Sequence, residues 1–432
     1  MKPAKTLTGV TLLAAVSLAL SACGGPGPAA APTSAAPGSV SLRLTTWTAD
    51  ANQLALFKSI ADEYKTTHPE IKDITFDSLP SADYTKTLTT QIAGGNGPDL
   101  AWVPESDAPD FVESGALAPL TDTFKATPGY NYDDLKTDFA KLWTRDGELY
   151  AYPFSTSPFV MFANDDILKN AGLPSSAELK AQGKWNWNDL SKVGAQVHEK
   201  TGKDGIIIRD FNYAQPLLLL SLWKGWGASP WSEDGKKCTF ASPEMTGAFE
   251  YLHEGIFGSK AFPGPGTSPD FFAGGSALTV SQISRASLLK NAQFGWNVLP
   301  LPSGPKGDYS VIGQAAMAAL QNSKNPEAAK QFLAYFTNPD NSRQLAQYFP
   351  PPRTSLLNAE TLTATNPLLS KDQIQNTVIK SLENVPPKPQ HTSSADLASK
   401  IKVALDPMWQ ENADVPGVLK SVCTAIDPIL AV

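Results

Sequence analysis

Hydrophobic and polar positions change period several times between residues 40 and 104. "SVSLRLTTW" alternates Val40, Leu42 and Leu44 with polar neighbours, the period of a strand with one buried face. Leu54, Phe57, Ile60, Ala61 and Tyr64 then recur at helical spacing, which predicts an amphipathic helix ending at "THPE". "DITF" returns to strand character, and Tyr84, Leu88 and Ile92 form the apolar stripe of a second helix. "AGGNGPD" breaks that helix, and "LAWV" is a third short strand. Strand–helix–strand–helix–strand in about sixty residues predicts an α/β fold, doubly wound around a parallel sheet. Ligands of such folds bind in loops beyond the strands, here "TWTADAN" and "WVPESDAP".

Farther on, "ELYAYPFSTSPFVMFANDDILKNAGL" predicts a turn, an apolar strand and a helix. "WNWNDLSKVGAQVHEKTG" predicts an amphipathic helix with Asn188 as its N-cap. "IIIRD", "SALTVS" and "WNVLPLP" are strand candidates. In "NPEAAKQFLAYFTN", Asn325 is the expected cap, Pro326 sits at the first helical position, and Phe332, Leu333 and Phe336 share a face. "QPLLLLSLW" is too short to span a bilayer and reads as a buried element. Three proline-dense stretches, "YPFSTSP", "LPLPSGP" and "YFPPPRTS", separate these elements. They are loops, or stiff crossings between two lobes.

The chain starts differently. Lys2 and Lys5 precede an uncharged apolar stretch, Leu7 to Leu20, which is the layout of a secretory signal over residues 1–22. Leu20-Ser21-Ala22-Cys23 resembles a bacterial lipobox, in which Cys23 becomes the lipidated N-terminus. Cleavage after Ser21 is the alternative. Two acyl chains bury some thirty methylenes at ~0.8 kcal/mol each, enough for a stable anchor. The Gly/Pro/Ala-rich segment that ends at residue 39 is then a disordered leash, reaching ~22 Å as a coil and ~50 Å as polyproline II.

Removing the signal leaves 410 residues, which fits two domains or one bilobed body. The mature chain has 33 basic and 42 acidic residues, a net charge of −9, with no basic footprint for nucleic acid. Cys238 and Cys423 are an even pair 185 residues apart, to be read either as a disulfide or as two separate thiols. Enzymatic and metal signatures are sparse. The four histidines are scattered, "HEGIF" lacks the second histidine of HExxH, and no G-x-S-x-G or P-loop occurs. No catalytic residue, metal or cofactor is expected, although a glycosidase pair of carboxylates is not excluded by counting.

Taken in order, several segments resemble one known family. They are "IADEYKTTHPEIKDITF", "QIAGGNGPDLAWV", "GELYAYPFSTSPFVMFANDDILKNAGL", "KWNWNDL", "GGSALTV", "NVLPLPSGPKG", "NSKNPEAAKQFLAYFTNPDNSRQLAQY" and "PPPRTSLL". The chain resembles the extracellular solute-binding proteins of ABC importers, in the carbohydrate-binding family (family 1) that includes maltose-binding protein. The resemblance implies the two-lobed, type II periplasmic-binding-protein fold, with residues 40–155 and 301–352 as one lobe and 156–300 and 353–432 as the other. Hinge crossings would lie at Ser155 to Ser157, near Pro300 and near Pro352. Both cysteines then fall in the second lobe, which favours their bridge.

Carrying the family's binding loops onto this chain selects candidate ligand contacts. The loop after the first strand offers Trp47, Thr48, Asp50 and Asn52. "PDLAWV" offers Trp102, one place before the family's aromatic position, and the next loop offers Glu105, Ser106 and Asp107. Ser157 stands where the family has a carboxylate, which argues against maltose itself, and Ser284 stands where the family has a tryptophan. Asn212, Tyr213 and Gln215 match an aromatic-rich loop, and Ser281, Gln282 and Arg285 follow "ALTV". Trp226, with Trp223 and Trp231 nearby, offers stacking, and Arg353 follows the third crossing. The implied function is non-enzymatic capture of a sugar or oligosaccharide by a monomer, tethered outside the cell by a lipid and serving an ABC permease. The rivals are a binder of a polyamine, glycerol phosphate or peptide, and an extracellular glycoside-acting enzyme.

Overall fold

The computed structural model describes residues 36–208, 216–264, 267, 269–383, 385 and 390–431. The signal segment with Cys23, and the candidates Asn212, Tyr213 and Gln215, lie outside the described residues. The opening unit forms as its periodicity predicts. Strands β1 (Val40–Thr46), β2 (Ile71–Ser78) and β3 (Leu100–Pro104) run parallel, with helices Ala51–Thr67 and Tyr84–Ala93 between them. Phe57, Ile60, Ala61 and Tyr64 of the first helix are buried, the stripe read from the sequence.

A short hairpin of β4 (Thr144–Arg145) and β5 (Glu148–Leu149) leads into β6 (Tyr152–Asn164), which is buried from end to end. The remaining strands are β7 (Asp204–Ile208), β8 (Ser276–Gln282), β9 (Trp296–Leu299) and β10 (Ile312–Ala319). Strand β10 enters beside β3 and runs antiparallel to both β3 and β6, so the sheet is mixed rather than wholly parallel. Its order is β2-β1-β3-β10-β6-β8-β7, with β9 also paired to β6. Strand β6 changes partners midway. Up to Pro158 it pairs with β10, and from Phe159 with β8 and then β9. One continuous strand therefore belongs to both halves of the molecule.

Apolar side chains gather accordingly. One cluster joins β1, β3 and the helices Ala51–Thr67 and Pro326–Phe336. A second joins the far half of β6 to helices Trp187–Thr201, Pro243–His253 and Val415–Leu430, and a smaller third contains Phe162, Phe271 and Ile374. Leu301 and Val311 bury in the second cluster, although the sequence groups 301–352 with the first lobe. Cys238 and Cys423 form a disulfide with Cα atoms 5.2 Å apart, joining a surface turn to helix Val415–Leu430. The Asp427 carboxylate accepts the Cys238 N–H at 2.8 Å beside it.

Two caps differ from expectation. Asn186, not Asn188, caps helix Trp187–Thr201, its side-chain oxygen accepting the Asp189 N–H. Trp187 is buried in the second core, which draws the helix start two residues earlier. Asn325 occupies the cap position of helix Pro326–Phe336, but its amide instead reaches the Ser41 carbonyl. No helix among the described residues is long and apolar enough to cross a membrane.

Candidate ligand-binding cleft

The loop leaving β1 is fixed by its own hydroxyls and amides. Thr46 Oγ1 accepts the Thr48 N–H, and Thr48 Oγ1 accepts the Asp50 N–H while donating to Gln53 Oε1 at 2.7 Å. Asp50 then caps helix Ala51–Thr67, one carboxylate oxygen accepting the N–H groups of Asn52 and Gln53. This bracing presents Trp47 half-buried and edge-on to Trp102, with ring centres 4.8 Å apart. The Tyr84 hydroxyl lies within hydrogen-bond reach of the carbonyls of Thr45 and Trp102, tying the ends of β1 and β3 together. Burial holds that phenol far above its ordinary pKa, so it is neutral. Trp102 packs against Phe154, and its buried indole N–H has no hydrogen-bond partner.

These groups border a cleft of about 930 Å3 lined from both halves of the molecule. Ser155 and Ser157 of β6 and Gln314 of β10 lie where the two halves meet. From the second half come Gln282, Ser284 and Arg285, with Asp270 and Phe272 on an adjoining turn. Ser157 Oγ accepts the Ser284 N–H at 3.1 Å, which stitches the halves at the base. The Arg285 guanidinium lies 4.9 Å from the centre of the Phe272 ring. Among the described lining residues Arg285 is the one cation, and Asp50 and Asp270 are the carboxylates. Both carboxylates already accept backbone N–H groups, Asp270 from Phe272. No group of three metal-ligating side chains occurs among the described residues.

The structure thus brings Trp47, Thr48, Asp50, Trp102, Ser157, Gln282 and Arg285 to one cleft. The other described candidates lie elsewhere. Asn52 is exposed in the first turn of helix Ala51–Thr67, outside the cleft lining. Glu105 accepts the Gln314 N–H at 2.8 Å, and Ser106 donates to Asp107, so this turn braces the sheet instead of lining the cleft. Ser281 is buried within β8, and Trp226 packs on Tyr251 in the second core with Trp223 and Trp231. Arg353 is fully buried against Tyr130 and Tyr152, outside the cleft lining, bonded to the Thr337 and Asn131 carbonyls and paired with Asp134. Its guanidinium is committed to the first half's interior. Gln53, Ser155 and Gln314 were not singled out by sequence reasoning. Gln53 follows the Asp50 cap by three residues, a signal that was available; Gln314 depends on where β10 inserts, which no local pattern reveals.

Burial pushes the Asp107 carboxyl above the usual carboxylate range, with hydrogen bonds from Thr85 and Ser106 opposing it. A raised carboxyl pKa favours the protonated folded form. That contribution is therefore present at acid pH and is lost as pH rises through the folded pKa. Asp107→Asn is expected to be at least as stable as the native chain at pH 7 and to gain relative stability between pH 4 and 7. Urea unfolding at both pH values measures this, and a variant that lost ground as pH rose would contradict it.

A bilobed α/β body with one shared strand and a polar, indole-lined cleft defines a solute-binding protein of the periplasmic-binding type. The chain belongs to the bacterial extracellular solute-binding protein family, whose model matches residues 59–370. Members of that family bind solutes and are not enzymes. An arabinooligosaccharide-binding protein of Bacillus subtilis is 26% identical over 310 residues, 68% of each chain. The sn-glycerol-3-phosphate-binding periplasmic protein of Salmonella paratyphi A is 25% identical over 288 residues, 61% of this chain and 62% of its own. The solved ABC substrate-binding protein of Listeria monocytogenes in complex with cycloalternan superposes with a TM-score of 0.78, covering 90% of this chain and 98% of that one at 19% identity. At that identity the likeness is one of fold.

Proposed function

We propose that the protein captures a sugar or oligosaccharide in this cleft and hands it, unaltered, to an ABC permease. The observation that carries the reading is the lining: uncharged amides and hydroxyls of Gln53, Ser155, Gln282 and Gln314 share the cleft with the half-buried indole of Trp47, which rests on buried Trp102. Hydroxyls of a sugar need donors and acceptors together, while its C–H faces suit indole rings. An orphaned polar group in such a site costs ~1–3 kcal/mol, which is how closure selects the right ligand. A phosphate ester asks for two or more cations, and Arg285 stands alone among the described lining residues. A polyamine asks for uncommitted carboxylates, and both lining carboxylates are already helix or turn caps.

In this reading the lobes are 40–155 with 301–352 and 156–300 with 353–432, with Leu301 and Val311 leaning on the second. They move about β6 as a hinge. The mature chain is a monomer held to the external face of the cell membrane by lipid at Cys23.

Thermal shift against a panel of mono- and oligosaccharides, sn-glycerol 3-phosphate and putrescine tests the assignment. A ligand at a hundred times its Kd adds ~2.7 kcal/mol of stability. Trp47→Ala is expected to weaken the best sugar at least tenfold, about 1.4 kcal/mol, beyond a modest fall in the ligand-free melting point from lost packing on Tyr84 and Trp102, so affinity is compared on folded protein. A shift from the phosphate or the diamine alone would overturn the carbohydrate reading.

A further inference from the structure

Strand β10 contains one glycine, Gly313. Glycine inside a strand costs stability, having no side chain to pack, and marks a place where another group approaches the backbone closely. At Gly205 and Gly304 a β-carbon would strike neighbouring backbone, which is a packing requirement of the fold. At Gly313 the neighbour is of another kind. A β-carbon there would overlap the side-chain amide nitrogen of Gln282 and stand 3.3 Å and 3.4 Å from its Cδ and Cγ. Gly313 is buried, Gln282 is half-buried, and both line the cleft. Their places along β6 bring them together. Gly313 lies opposite Ser157 and Gln282 opposite Phe159, on either side of the point where the strand exchanges its partners. An amide from the second half therefore rests on bare backbone of the first. Gln314, the next residue, and Ser157, the strand partner, line the same cleft.

Resting on the carbohydrate reading, we infer that Gly313 is a specificity-determining position of the cleft: its missing side chain is the seat that holds the Gln282 amide in register with the ligand. An amide carries a donor and an acceptor, and it matches a sugar hydroxyl only over a narrow range of directions. Seated before the ligand arrives, it has less rotamer freedom to lose on binding. The obstructed atoms are the far end of a flexible side chain, so a methyl at position 313 displaces the amide at little cost to the fold. What it spoils is the direction of the amide. Gly313 is thus a positioning residue that acts through Gln282.

Calorimetric titration of the saccharide giving the largest thermal shift, against native protein, Gly313→Ala, Gln282→Ala and the double variant, tests this. Gly313→Ala is expected to weaken binding roughly fivefold or more, with its ligand-free melting point within about 3 °C of native. Gln282→Ala is expected to weaken binding at least as much. The double variant is expected to match Gln282→Ala within about twofold, because the methyl then has no amide to displace. If Gly313→Ala does not fold, the double variant is still expected to fold, since the obstruction is gone. Near-native affinity in either single variant would overturn the inference and leave the carbohydrate reading intact. So would a loss from Gly313→Ala that recurs in full in the Gln282→Ala background, which would put the methyl itself against the ligand. Failure of both 313 variants to fold would overturn it too, because the glycine would then serve the strand alone. If the native protein bound no saccharide, the carbohydrate reading would fall and take this inference with it.

Discussion

Replacing Arg353 by alanine is expected to destabilise the first lobe by about 3–5 kcal/mol without changing ligand affinity in the molecules that remain folded. The guanidinium has no exposed surface and sits 4.7 Å from the centre of the Tyr130 ring. It donates to the carbonyls of Thr337 at 2.9 Å and Asn131 at 3.2 Å, and approaches Ser342 Oγ and Asp134. Truncation takes one donor from each of these acceptors, although each keeps another, and opens a cavity between Tyr130 and Tyr152 in a fully buried position. Arg353→Lys is expected to recover only part of the loss, because an ammonium cannot reproduce the planar fork. Denaturant midpoints of both variants, with titration of the best ligand, measure this. Native-like melting combined with weakened binding would return Arg353 to the cleft.

Removing the disulfide should be comparably costly. The bridge between Cys238 and Cys423 closes a loop 185 residues apart in sequence. On the chain-entropy account, a loop of that size restricts the unfolded ensemble by about 5 kcal/mol. The double variant Cys238→Ala/Cys423→Ala is expected to lose about that much in urea unfolding. The loss should appear in the transition of the second lobe, whose core holds Cys238 and helix Val415–Leu430. Reduction of the native chain should reproduce it. Identical midpoints for oxidised, reduced and double-variant protein would show that the bridge restrains little.

Sequence pattern disclosed what is local. Alternation and helical spacing located β1, β2, β3 and the two helices between them, because each element's buried face repeats within a few residues. The same logic put Trp47 and Asp50 in the cleft, since the loop after the first strand of such a unit points there. What escaped depends on distant partners. The insertion of β10 between β3 and β6 makes the sheet mixed and brings Gln314 to the site, and nothing near residue 314 encodes it. Family likeness located Arg353 after a crossing, but its direction was set by Tyr130, Thr337 and Ser342, far away in the chain. Tryptophans near residue 226 looked equally suited to ligand and to core, and the second cluster took them. Glu105 was legible as a polar loop residue, though its use as an acceptor for the Gln314 N–H was not.

Strand β1 begins at Val40, where the proline-rich leader ends, and it lies inside the sheet with parallel neighbours on both sides. A pull on the leader therefore loads β1 lengthwise, so its ladder with β2 must shear over seven paired positions at once instead of peeling open one bond at a time. In the proposed tethered form, drag on the folded body is therefore carried by all seven paired positions of β1 together.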